Sequence, residues 1–127
     1  MNLYIAGPMR GKKNFNFPMF DAVAALYRRY GHTVFNPAER DVKKHGKKIS
    51  ENEKGSLEVA EKQHGFSLRL ALADDTAWIC RKADGLVMLP GWKKSNGAKA
   101  EHALAKALGL RITYLNKKLK VKKHARK

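Results

Sequence analysis

Two acidic residues sit where a carboxyl group can do chemistry. Glu101 lies one to two turns into a helical pattern opening at Ser95-Asn96-Gly97, among the small residues Gly97, Ala98, Ala100 and Ala103. Small neighbours let a ligand approach the carboxylate closely, although a carboxylate near a helix N-terminus is also favoured by the helix dipole alone. Asp75 falls at i+7 on a stripe with Leu68, Leu72 and Ile79 at i, i+4 and i+11. A carboxyl group on an apolar stripe needs a partner or a function, because burial penalises its charge. Asp74 falls off that stripe and reads as solvated.

Three segments combine turn residues with groups that could hold an anion: Gly7-Pro8-Met9-Arg10-Gly11, Asn36-Pro37, and Gly91-Trp92-Lys93-Lys94-Ser95-Asn96-Gly97. The glycines allow close backbone approach. Ser95 opens a helix whose free N–H groups, with a nearby Arg10, make a good phosphate site. The plainer alternative is that Ser95 only caps the helix and the glycines only shape turns. Trp92 and Trp78 could stack on a base or pack in the core. Neither a Walker A motif nor Gly-x-Gly-x-x-Gly is present, and no Gly-x-Ser-x-Gly elbow surrounds Ser95. The five histidines have no metal-ligand spacing, and with one cysteine a zinc site is not expected.

The elements that must position these residues follow from pattern. Residues 2–6 (NLYIA) form a short apolar strand ended by Gly7-Pro8. Phe20, Val23, Ala24, Tyr27 and Tyr30 mark one face of a helix, with Asn16 as N-cap and Gly31 as its stop. A second strand covers 32–35. A helix over 67–82, a strand over 85–89, a helix from 95 to 108 and a strand over 111–115 complete the order. Residues 41–65 are rich in Lys and Glu, hold three glycines and lack a sustained apolar period, so they read as a mobile excursion with at most a short helix at 56–63. The alternation predicts a single α/β domain over 1–116 with a mainly parallel sheet, whose ligands sit outside the carboxyl ends of the strands.

The 127-residue chain suits one domain, and 43% hydrophobic residues exclude a wholly disordered one. A net charge of +16 points to an anionic partner. The last eleven residues, 117–127, carry seven Lys/Arg and no acid, and read as a solvated, disordered tail through which nucleic acid could bind. The remaining +9 belongs to the body. One cysteine, no apolar run of membrane length and no signal peptide predict a cytoplasmic protein without membrane partners.

The motifs Tyr4-Ile5-Ala6-Gly7-Pro8-Met9-Arg10-Gly11, Asn36-Pro37, Asp75-x-x-Trp78, Ala83-Asp84 and Leu89-Pro90-Gly91-Trp92-x-x-Ser95-x-Gly97-Ala98-x-x-Glu101 resemble the nucleoside 2-deoxyribosyltransferase superfamily. The likeness is strongest to a small branch common in bacteriophages, and extends to the 2′-deoxynucleoside 5′-monophosphate N-glycosidases. It implies a flavodoxin-like domain that cleaves the N-glycosidic bond of a deoxynucleoside or its 5′-monophosphate without a cofactor. Glu101 matches the nucleophile, Asp75 the acid that helps the base depart, and Tyr4 the residue that orients the nucleophile. Ser95, Arg10 and Gly11 match positions holding the 5′-phosphate, with Gly7, Asn36, Gly91, Trp92 and Gly97 lining the substrate. A homo-oligomer and, for a phage protein, the host cytoplasm are implied as well. The alternatives are a non-catalytic nucleotide-binding protein and a basic nucleic-acid-binding protein.

Overall fold

In the computed structural model, which describes residues 1–122, four strands form one all-parallel sheet. They are β1 (Asn2–Ala6), β2 (Thr33–Phe35), β3 (Gly85–Met88) and β4 (Arg111–Tyr114), in the order β2-β1-β3-β4. Both central strands, β1 and β3, are continuous apolar runs, as a sheet covered on both faces demands. The helices are α1 (Phe17–Arg29), α2 (Pro37–His45), α3 (Leu57–His64), α4 (Leu68–Lys82) and α5 (Asn96–Ala107). This is the α/β, flavodoxin-like architecture expected, with the strand order reversing between β1 and β3.

Strand alternation sorts the side chains into two cores. Leu3 and Ile5 point to the face covered by Phe17, Phe20, Val23 and Ala24 of α1. Tyr4 and Ala6 point to the other, where Ile79 of α4 and Ala98 and Ala105 of α5 pack. Burying each of the larger side chains contributes about 1.5–3 kcal/mol. At the end of β1 the strands come so close that a Cβ on Gly7 would lie 2.7 Å from the Cβ of Leu89. Only glycine fits there.

The 41–65 segment departs from expectation. Asn36 caps α2 by accepting from the Ala38 N–H at 3.0 Å, so the helix begins at Pro37 and runs through Asp41. A short 3-10 turn over Lys47–Ser50 follows, and Ser56 caps α3. Ile49, Asn52 and Ala60 are buried, spaced too far apart to make a period. The segment is a packed cover on α1 and the end of β1, not an excursion. Asn16 also differs: it occupies the cap position of α1 in a left-handed conformation, and its side chain makes no capping bond. Part of the basic tail is ordered too. Residues 117–120 turn, Leu115 and Val121 pair as an antiparallel bridge, and Leu119 packs on the core. The rest of the tail lies outside the described residues. Among these residues no helix is long and apolar enough to cross a membrane.

Candidate active site

A cavity of about 450 Å³ opens at the carboxyl end of the sheet, beside the β1–β3 switch point. Strand β1, α4 and α5 each deliver one functional side chain to it. Tyr4 is fully buried on the α4/α5 face, and its hydroxyl donates to Glu101 Oε2 at 2.5 Å. Glu101 is 6% exposed and takes part in no salt bridge among the described residues, so its carboxyl faces the cavity rather than a cation. Asp75 is buried on α4 with Ala71 and Ile79, and its Oδ1 has no hydrogen-bond partner among the described residues. Leu68 and Leu72, expected on the same apolar stripe, line the cavity together with Asp75.

Burial dominates the electrostatics. It pushes the Glu101 carboxyl up to about 8, against the Tyr4 hydrogen bond that favours its ionised form, while the nearby Asp75 adds to the rise. Burial likewise raises Asp75 to about 7, helped by the charge of Asp41 and opposed by Arg40. Tyr4 is held well above its ordinary range, by burial and then by the two carboxylates. Two interacting carboxyls titrating near neutrality lose their protons as a pair. Between the two steps one carries a proton and the other a charge.

Asp41 is a cavity residue that the motifs do not single out. It is buried at the cavity wall on α2, 2.9 Å from the Arg40 guanidinium, which also contacts Asp74. Lys44 adds a 3.1 Å bond to Asp74, so that residue is partnered rather than merely solvated. Asp41 does carry a readable signal: Asn36-Pro37 is a cap followed by proline in the first turn, and Ala38 and Asp41 follow at helical spacing on one buried face.

Arg10, Lys94, Ser95 and Gly97 line the same cavity as the carboxyls. Ser95 Oγ accepts from the Ala98 N–H at 3.2 Å, capping α5 and leaving its own O–H free to donate. The α5 N-terminus, with no acid in its first turn and two cations beside it, suits an anion. A Cβ on Gly97 would meet nothing within 4 Å, so this position keeps cavity space open. Gly97→Ala is therefore expected to raise stability by up to about 1 kcal/mol through helix propensity while weakening anion binding. Thermal melts and calorimetric titration with a deoxynucleoside monophosphate check the opposite signs; unchanged affinity would mean that no ligand approaches this backbone.

Four residues expected at the site lie away from the cavity. The Gly11 N–H is bonded to the Gly55 carbonyl at 2.9 Å. Asn36 is consumed by its cap and by donating to Asp21 at 2.8 Å. Gly91 supplies a left-handed turn against Pro8. Trp92 stacks on His102 with centroids 4.2 Å apart, and His102 bonds the Tyr114 hydroxyl at 2.7 Å, so this tryptophan packs against β4. Among the described residues no group of three or more His, Cys, Asp or Glu is placed to hold a metal ion.

Fold and cavity together define a flavodoxin-like α/β domain with a paired buried-carboxyl centre at its switch point. The chain belongs to the family described as a domain of unknown function, DUF4406, which matches residues 1–114. No curated protein and no solved structure matches it.

Proposed function

We propose that this protein cleaves the N-glycosidic bond of a 2′-deoxynucleoside 5′-monophosphate through Glu101. The observation carrying this reading is one cavity holding both a desolvated carboxyl pair and a lining of Arg10, Lys94 and the α5 N-terminus. Tyr4 occupies Glu101 Oε2, leaving Oε1 for attack on C1′. The C1′–N bond breaks with its electron pair passing to the base, and the Asp75 carboxyl donates the proton that the base needs to leave. A glycosyl ester on Glu101 results. Water then attacks C1′, gives its proton to the Asp75 carboxylate, and releases the Glu101 carboxylate with 2-deoxyribose 5-phosphate. Two displacements replace one hard step, as in retaining glycosidases. A second base in place of water would give transfer instead of hydrolysis.

The ester is testable directly. Acid quenching during turnover, followed by intact-mass and peptide analysis, should find a deoxyribosyl phosphate on the peptide containing Glu101. Base release with the label on another residue would remove Glu101 from the nucleophile role. The phosphate end has its own expected result: Arg10→Ala should weaken a monophosphate about tenfold, the scale of one charge-assisted contact, and leave the matching nucleoside nearly unchanged. Parallel calorimetric titrations measure both, and equal losses would remove Arg10 from the phosphate site.

A further inference from the structure

The loop that carries Arg10 leads into an unusual turn. Asn14, Phe15 and Asn16 all adopt left-handed conformations, at φ 52°, 53° and 63°. Asparagine tolerates this region, but a bulky residue such as phenylalanine rarely enters it, and three in succession is a strained arrangement. Strain of this kind persists only where its surroundings over-determine it, and it gathers at functional sites.

Three hydrogen bonds from these surroundings reach the Gly7–Gly11 loop, and the rest hold the turn in place. The Asn16 side-chain amide donates to the Pro8 carbonyl at 3.0 Å. The Lys12 N–H donates to the Met9 carbonyl at 3.0 Å, and the Gly11 N–H to the Gly55 carbonyl at 2.9 Å. Asn14 and Asn52 are joined reciprocally, N–H to carbonyl at 2.6 Å and N–H to side-chain oxygen at 3.1 Å. Buried Asn52 is fixed in turn by two bonds with Ser56, at 2.9 and 3.0 Å. Gly55 sits so tightly on this backbone that a Cβ would lie 2.3 Å from the Lys12 carbonyl oxygen. Phe15 anchors the turn in the core beside Phe17.

We infer that the left-handed turn Asn14–Asn16 and the Asn52–Gly55 loop docked on it form a brace that fixes the Gly7–Gly11 loop, making Asn14, Asn16 and Asn52 positioning residues for anion capture by Arg10. The inference rests on the reading of Arg10 as a phosphate-binding group. It also explains why the 41–65 segment is packed down, because that packing locks the arginine loop over the cavity instead of closing as a lid. An exposed arginine held by its backbone loses little freedom on binding, whereas on a loose loop the same cation must be ordered by the ligand.

Asn14→Gly and Asn16→Gly test this, because glycine keeps the left-handed backbone while removing the gripping side chain. In both variants the Gly11 and Lys12 amides should exchange hydrogen at least about tenfold faster than in the parent, at little cost in melting temperature. Affinity for a deoxynucleoside monophosphate should fall about threefold, less than on removing Arg10 itself, with affinity for the matching nucleoside unchanged. Asn14→Asp keeps the acceptor oxygen and should retain parental exchange. Parental exchange in both glycine variants, or equal losses for nucleotide and nucleoside, would overturn the brace. If the parent itself binds neither inorganic phosphate nor monophosphate, the role of Arg10 is overturned, and the exchange rates still decide whether the brace holds the loop.

Discussion

Glu101→Gln is expected to reduce base release by about three orders of magnitude or more, because an amide cannot form the glycosyl ester. The same change should stabilise the fold in a pH-dependent way. Burial raises the Glu101 carboxyl to about 8 from an ordinary value of 4.5. Between those values the native state binds more protons than the unfolded chain, so stability from this group is complete below about pH 4 and lost as pH rises towards 8. Glutamine has no such dependence. The difference in melting temperature, variant minus parent, should therefore grow from pH 4 to pH 8, reaching on the order of 2–4 kcal/mol in stability. Scanning calorimetry across that range checks it. A difference independent of pH would mean that Glu101 is ionised and satisfied in the native protein, contrary to its burial.

The second large effect concerns the pH–rate profile. The mechanism draws on the singly protonated pair with Glu101 charged and Asp75 protonated, the less populated of its two forms because burial raises Glu101 further than Asp75. The profile of kcat/KM should therefore be bell-shaped, with limbs set by the pair titrating near 7 and 8. Asp75→Asn removes the proton whose loss sets the alkaline limb, so that limb should disappear. It also removes the proton donor, and the maximum rate should fall about 10²–10⁴-fold. Bases that leave readily unprotonated should lose least. Tyr4→Phe should move the acidic limb to higher pH, because the lost hydrogen bond favoured the ionised Glu101. An acidic limb that stays in place in Tyr4→Phe would show that Glu101 does not set it, and an alkaline limb that persists in Asp75→Asn would remove Asp75 as the proton donor.

Much of the site is legible in the sequence because its determinants are local. The strand at 2–6, the Ser95 cap and the small residues leading to Glu101 are read within a few positions, and the apolar surroundings of Asp75 follow from helical spacing. The 41–65 segment is not legible in that way. Its anchors Ile49, Asn52 and Ala60 are single buried residues between charged ones, and what they pack against lies far away in sequence. Asp41 sits on a capped helix face that is locally readable, but its place at the cavity depends on α2 docking beside α4 through Arg40, Lys44 and Asp74. Gly11, Asn36, Gly91 and Trp92 fall outside the cavity for a related reason. Turn and aromatic chemistry marks the rim of a strand end, but whether a residue faces the cavity or braces the loop behind it is decided by tertiary partners such as Gly55 and His102. The charge, too, is now better placed: Arg10 and Lys94 sit at the cavity, and the folded-back start of the tail lies at β4.

The central claim is that Glu101 and Asp75 form a working glycosidic centre. The most direct measurement is chromatography of the protein incubated at neutral pH with each of the four deoxynucleoside 5′-monophosphates, beside Glu101→Gln. The account predicts free base from at least one monophosphate with repeated turnover, and none above background from the variant. No base from any of the four, or equal release by parent and variant, would contradict it.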